Sequence, residues 1–230
     1  MPMVGAAFMG ETFATIDPQE FVRTLMPFLR AGDLKGLVST VRGRWRTEQV
    51  RSLVHCRDTE ALKCALLALA WVGGRKCAEQ ILTQLGNEDP LISELAEHAL
   101  WTIWFRSGCD GANDQLALGV RALGEKRLRA AVEHFDRAIG MKPDFAEAFN
   151  QRAITHYLAE EWAESLADCQ RAAELMPCHF GAWAGQGHCL AHMGRLPEAI
   201  VSYQKALAIH PRLDCVKSAL EELQLRVKSN

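Results

Sequence analysis

Along residues 182–211, AWAGQGHCLAHMGRLPEAIVSYQKALAIHP, small residues stand at Gly187, Ala199 and Ala206 among larger apolar ones, and a proline closes the run. The same layout occurs twice upstream. Pro143, Pro177 and Pro211 are 34 residues apart, which defines windows 112–145, 146–179 and 180–213. The eighth position is Gly119, Ala153 or Gly187, the twentieth Ala131, Ser165 or Ala199, and the twenty-seventh Ala138, Ala172 or Ala206. This spacing predicts two antiparallel helices per window that approach closely at the small positions, with Phe135, Cys169 and Tyr203 at the twenty-fourth, where the gap is wider. Each proline lacks the N–H needed to continue a helix and so ends the second one.

After Pro211 the pattern continues as one more amphipathic helix over 215–228, with Val216, Leu220, Leu223 and Val227 on one face. Its polar face, Lys217, Glu221, Glu222 and Arg226, suits a cap over the last apolar surface of a stack. Upstream, DTEALKCALLALAWVGG and DPLISELAEHALWTIWFRSG align at an offset of 31 residues, matching Asp58 with Asp89 and Ala65 with Ala96. Each Asp sits where an N-cap belongs, and Pro90 fits the first helical position. TEQVRSLVHC and RKCAEQILTQLGN supply the preceding helices, and residues 17–31 and 34–44 a further pair. RSGCDGAND, residues 106–114, is the concentrated Gly/Asp break that marks the junction.

The 34-residue layout resembles the tetratricopeptide repeat (TPR), a helix–turn–helix with the pattern W-x₂-L-G-x₂-Y, A-x₃-F and P. The third window carries Trp183, Gly187, Ala199-x₃-Tyr203, Ala206 and Pro211, with Gln186 in place of the Leu. The second has Phe149, Arg152, Ala153 and His156, and the first Leu118-Gly119 with Gln115 in place of Trp. The first half is similar to short HEAT-like repeats, although the HEAT period is longer. The expected fold is therefore all-α: a right-handed α-solenoid of antiparallel helix pairs, either continuous or as two solenoids meeting near residue 110. Residues 1–16 are expected as a flexible N-terminal segment, 17–109 as a HEAT-like region, and 112–230 as a TPR domain of three repeats and a capping helix.

The resemblance implies a ligand groove lined by the first helix of each repeat. Carried onto this chain it contains Asn113, Leu116, Val120 and Leu123; Glu147, Asn150, Ile154, Tyr157 and Leu158; and Ala184, His188, Ala191 and His192. TPRs that clamp a C-terminal carboxylate carry Lys and Asn where Leu116 and Val120 stand, so that ligand is not expected. A protein or peptide segment with apolar anchors is, and either a foreign segment or this chain's own apolar residues 1–13 would serve.

Composition adds mostly exclusions. Net charge is −2, with 12 Lys and Arg against 13 Asp and Glu up to residue 110 and 14 against 15 beyond it. Neither half is a cationic surface, so no nucleic-acid or membrane partner is expected. None of the eight cysteines forms a CxxC pair, which reads as buried free thiols in a reducing, cytoplasmic setting. His188 and His192 have the i, i+4 spacing of two metal ligands, but no third ligand accompanies them, and no metal or cofactor is expected. Arg42, Arg44, Arg46 and Arg51 around Trp45 form the one basic cluster, a candidate second partner surface for an acidic protein. Neither a nucleophile with its base nor a phosphate loop appears, so the chain is read as a non-catalytic interaction scaffold or adaptor. The alternatives are a nucleic-acid-processing or accessory enzyme of HEAT-like type using the Arg42–Arg51 surface, and a self-assembling structural protein associating through Trp101 and Trp104.

Overall fold

A computed structural model describes residues 15–228, so the expected N-terminal segment 1–16 lies outside the described residues except for Thr15 and Ile16. Ile16 is buried and belongs to the core rather than to a flexible arm. Among the described residues every regular element is helical. The chain divides into two compact units after Val72.

The first unit holds α1 (Pro18–Ala31), α2 (Leu34–Arg44), α3 (Thr47–Ser52) with a 3-10 turn at Leu53–His55, and α4 (Thr59–Val72). Asp17 accepts from the Gln19 N–H at 3.1 Å, Asp33 from Gly36 at 2.9 Å and Asp58 from Ala61 at 3.0 Å, so three helices start on a side-chain cap. The run ALKCALLALA makes α4 apolar around most of its circumference, and α1, α2 and α3 each pack on it. Gly36 permits the contact of α1 with α2: Phe28 ring carbons lie 2.7 Å from where a side chain would begin.

The second unit opens with α5 (Arg75–Ile81), a 3-10 turn at Leu82–Gln84 and α6 (Pro90–Phe105), the last capped by Asp89, which accepts from Leu91 at 2.9 Å. Then come α7 (Asp110–Gly124), α8 (Leu128–Met141), α9 (Ala146–Leu158), α10 (Trp162–Leu175), α11 (Phe180–His192), α12 (Leu196–Ile209) and α13 (Asp214–Lys228). The two helices of each window pack together, and each second helix packs on the first of the next window. A methyl group on Gly119 would overlap the Phe135 ring, and one on Gly187 the Tyr203 ring. In the middle window Ala153 replaces the glycine and Cys169 replaces the ring. Position twenty-four therefore does not stand over a wider gap, as expected from its size; it fills the space that position eight leaves open.

The turn between the two helices of each window follows a rule that the apolar pattern did not reveal. Position fifteen has a left-handed backbone in all three, with φ of 59° at Lys126, 62° at Glu160 and 74° at Gly194. The next N–H reaches back to close the turn: Arg127 to Ala122 O at 2.9 Å, Glu161 to His156 O at 2.9 Å and Arg195 to Leu190 O at 2.8 Å. Across the windows, Arg152 on α9 donates to Asp168 on α10 through Nε and Nη2 at 2.8 and 2.7 Å, and to Asp136 on α8 through Nη1. Asp168 and then Asp136 hold the guanidinium above its ordinary value, so it is always charged. Arg152→Lys keeps the charge but loses the fork, and is expected to lower stability by about 1–3 kcal/mol. The urea midpoint of the variant measures this; an unshifted midpoint would show that the three-helix staple contributes nothing.

The Gly/Asp-rich stretch 106–114 is a turn within the second unit and does not coincide with the division between units. The expected HEAT-like region 17–109 is accordingly split, with α5 and α6 joined to the repeats. Aromatic packing explains why: Trp104 of α6 stacks on His179 with ring centres 4.6 Å apart and planes 21° apart, and Trp101 meets Phe180 edge-on at 5.1 Å. Glu97 of α6 adds polar ties, accepting from Trp101 Nε1 at 3.2 Å and pairing with His210 Nε2 at 3.1 Å.

The His210 hydrogen bond, aided by Trp101 and opposed by burial, holds the Glu97 carboxyl below its ordinary value of 4.5. A carboxyl depressed in the folded state contributes stability above its unfolded value and loses it as pH falls through the folded one. Glu97→Gln is thus expected to unfold more easily than the native chain at neutral pH. The two unfolding midpoints should converge as pH drops below 4.5; a gap unchanged in acid would assign the loss to packing instead. Among the described residues no helix is long and apolar enough to cross a membrane.

Candidate partner-binding groove

The first helices of the second and third windows face each other across a cleft of about 300 Å³. Ile154, Tyr157 and Leu158 come from α9, and Ala184, Gly185 and His188 from α11, the periodicity that puts these positions on one face of each helix. Asn150, Ser165 and Cys169 lie deeper, and Trp101 of α6 closes one side. Nearly all the lining is apolar, and Ile154 and Leu158 are exposed large aliphatics at its mouth.

Hydrogen bonds and stacking fix the rim. The Tyr157 hydroxyl and His192 Nε2 are hydrogen-bonded at 2.8 Å, and His192 lies flat on Trp162 with ring centres 4.2 Å apart. The Tyr203 hydroxyl and His188 Nδ1 are likewise bonded at 2.8 Å. Burial, and secondarily the neighbouring His192, pushes His188 below its ordinary value, so it stays uncharged at neutral pH. Burial raises Tyr157 and Tyr203, so both remain hydrogen-bonding phenols. Each histidine is directed to a different tyrosine rather than to a shared point. Among the described residues no three His, Cys, Asp or Glu side chains stand where they could hold a metal.

Of the other residues read as groove positions, several face elsewhere. Leu116 is buried between α7 and α8, and Val120 packs against that same core. Asn113 is spent on the preceding turn, its Oδ1 accepting from Gly108 at 3.0 Å. Glu147 is wholly buried, paired with His179 Nε2 at 2.9 Å and accepting from Gln151 at 2.7 Å and Asn150 at 3.3 Å. A carboxylate needs such partners when removed from water, and at this place they lie inward. The cleft thus unites Asn150, Ile154, Tyr157, Ala184 and His188, with His192 held at the rim. Trp101, Gly181, Gly185, Ser165 and Cys169 complete it without having been foreseen. The TPR register names first-helix positions only, and Trp101 comes from another element.

The remaining candidates are less concentrated. Arg42, Arg44 and Arg46 are exposed and Arg51 half-buried. Arg44 pairs with Glu20 at 3.3 Å, and Trp45 turns inward, edge-on to Phe21 at 4.9 Å. Trp104 is buried and Trp101 covers Phe180, so the pair proposed for self-association is consumed within the unit. A larger cleft of about 400 Å³ is lined by Arg75, Trp104, Lys142, Asp144 and Met176 among others. Its Lys142 and Asp144 pair with each other at 2.6 Å, which leaves a mixed, largely self-neutralised lining.

Comparison with known proteins adds the following. The tetratricopeptide-repeat family model matches residues 181–213. A TPR repeat-containing protein of Rhizobium etli is 30% identical over 134 residues, 58% of this chain and 66% of the relative. Sperm-associated antigen 1 of Mus musculus is 29% identical over 119 residues, 52% of this chain and 13% of the relative. The chain thus spans somewhat under two thirds of the first relative's length and about an eighth of the second's. Among solved structures, the first TPR of Spaghetti (RPAP3) bound to the HSP90 peptide SRMEEVD superposes with a TM-score of 0.51 at 17% identity, covering 51% of this chain and 94% of that one. The Sgt2 TPR domain from Aspergillus fumigatus gives 0.51 at 18%, covering 53% and 82%. These likenesses agree with a fold of repeated antiparallel helix pairs.

Proposed function

We propose that this chain, which carries tetratricopeptide repeats, is a non-catalytic adaptor that holds an apolar peptide segment of a partner protein in the cleft between α9 and α11. The observation that carries the proposal is the lining itself: an open, almost wholly apolar cleft whose aromatic rim is locked by paired hydrogen bonds. A concave apolar site with few oriented polar groups is the usual form of a recognition pocket, and a fixed rim lowers the ordering cost of binding. The peptide bound by the Spaghetti domain, SRMEEVD, carries three acidic residues. This groove offers that chemistry little: Leu116 and Val120 are apolar and packed inward, and His188 is neutral. The preferred segment has large aliphatic or aromatic side chains and few charges. The chain's net charge of −2 and the Arg44–Glu20 pair weigh against the nucleic-acid reading. Free thiols at all eight cysteines suit a reducing cytoplasmic location.

Panning a displayed random-peptide library against the purified chain tests the reading. Native protein should enrich apolar peptides, and Ile154→Glu/Leu158→Glu should lose them by at least about tenfold in affinity, roughly 1.4 kcal/mol. An Arg42→Ala/Arg51→Ala variant should keep them. No enrichment, or equal binding by the groove variant, would remove the groove as the site.

A further inference from the structure

The floor of the cleft holds a hydrogen-bond acceptor that the chain itself leaves unused. Asn150 of α9 is 2% exposed and lines the cleft. Its Nδ2 donates to Glu147 Oε1 at 3.3 Å, and Glu147 is fixed in turn by His179 Nε2 at 2.9 Å and Gln151 Nε2 at 2.7 Å. A carboxylate only accepts, so the Asn150 amide nitrogen must face it and the carbonyl oxygen must face away. Asn150 Oδ1 makes no hydrogen bond among the described residues. It is not sealed in either: among the described side chains, Gln80 Oε1 is the one polar atom both buried and unpartnered. The open space beside Asn150 is the cleft. Ser165, the other oxygen on the floor, is spent, donating to Ala153 O at 2.8 Å and accepting from Cys189 Sγ at 3.1 Å.

We propose that the cleft selects a partner segment anchored by a tryptophan, whose indole enters between α9 and α11 and donates its N–H to Asn150 Oδ1. This rests on the adaptor reading above and names the side chain that the bound segment must carry. The surroundings narrow the choice by elimination. No acidic residue lines the cleft, so a Lys or Arg anchor would bring an uncompensated charge into an apolar lining. Asn and Gln supply a donor but strand a carbonyl of their own, and a backbone amide reaches the floor only by doing the same. Leu or Phe would cover the Asn150 oxygen and leave it without water or donor, which costs more than the bond is worth. A tyrosine hydroxyl donates but keeps lone pairs in need of partners, whereas the indole N–H is a donor only. Space and packing suit a large ring. The cleft is about 300 Å³, and α11 contributes Gly181, Ala184 and Gly185 where larger side chains would fill it. Trp101, Tyr157 and His188 offer aromatic walls. Glu147 touches no ligand in this arrangement; it is a positioning residue that turns the Asn150 oxygen toward the cleft.

Sequencing the peptides that the full chain enriches from the displayed library is the first step of the test. They should share a tryptophan at one position. In a selected peptide, 3-benzothienylalanine is then put in its place, which keeps the bicyclic ring and substitutes sulfur for the N–H. Calorimetry with the native chain should show the exchange weakening binding by at least about fivefold. Asn150→Leu, with native helicity by circular dichroism, should bind the two peptides equally. The peptide comparison needs no variant, so it decides the matter even where Asn150→Leu does not fold. Enriched peptides without tryptophan, equal affinity of the native chain for both peptides, or a preference that persists in folded Asn150→Leu would overturn the tryptophan anchor and leave the adaptor reading standing. No enrichment at all, or enrichment unchanged by Ile154→Glu/Leu158→Glu, would overturn the adaptor reading and the anchor with it.

Discussion

Gly187→Ala is expected to lower the stability of the repeats by about 3 kcal/mol, an unusual cost for adding one methyl group to a helix. Alanine ordinarily favours a helix interior over glycine by about 1 kcal/mol. Here the methyl would enter the Tyr203 ring. That ring is buried and its hydroxyl is tied to His188 at 2.8 Å, so it cannot swing aside without breaking the bond. The middle window shows how the same space is filled otherwise, with Ala153 against Cys169. The double variant Gly187→Ala/Tyr203→Cys copies that arrangement. Tyr203→Cys alone should cost about 3–5 kcal/mol for the lost ring. The double variant should be less damaged than the sum of the singles, by a coupling of about 1–3 kcal/mol. Urea unfolding followed by circular dichroism for the native chain, both singles and the double closes the cycle. Strict additivity would show that positions eight and twenty-four do not share one volume.

Glu147→Ala should be at least as severe, about 3–5 kcal/mol. Its carboxylate accepts from His179, Gln151 and Asn150 with no exposure to solvent, and His179 in turn stacks on Trp104. Deleting the carboxylate leaves three buried donors without an acceptor, and each unmade bond costs about 1–3 kcal/mol. His179→Phe offers the complementary case, since it keeps a ring against Trp104 while stranding the carboxylate. Thermal unfolding watched by tryptophan fluorescence should show both variants melting well below the native chain. Native-like melting of Glu147→Ala would mean that the carboxylate is replaceable by water.

The repeats were legible because their cause is local and periodic. Small residues at fixed spacing, and a proline every 34 residues, mark where helices touch and stop, and the six helices from α7 to α12 fall where the windows put them. The left-handed turns were not legible, since Lys126 and Glu160 carry no glycine signal; only Gly194 does. Glu147 was read as a groove position because the register places it on the first helix, whereas its partner His179 stands 32 residues away. No periodic pattern announces a single buried pair. The stretch 106–114 does not coincide with the division between the compact units, for a related reason. Glycine and aspartate at 106–114 show that the chain turns, but what α6 packs against was decided by Trp101 and Trp104 meeting Phe180 and His179. Of the groove, Ile154, Tyr157 and Leu158 of α9 and Ala184 and His188 of α11 were foreseen, while Gly181 and Gly185 have no side chain to announce them, and Trp101, Ser165 and Cys169 come from elements outside the first-helix register.

The tryptophans of α6 also determine where the chain can be cut. A fragment begun at Asp110 would preserve every residue of the 34-residue period and would look complete in an alignment. It would nevertheless strip the indoles from Phe180 and His179, take Glu97 away from His210, and open one side of the groove to water. A shortened protein of that kind would present to its neighbours an aromatic patch that the full chain keeps covered. Stickiness seen in such a fragment would be a product of the excision, and binding assays on the repeats belong on protein that retains α5 and α6.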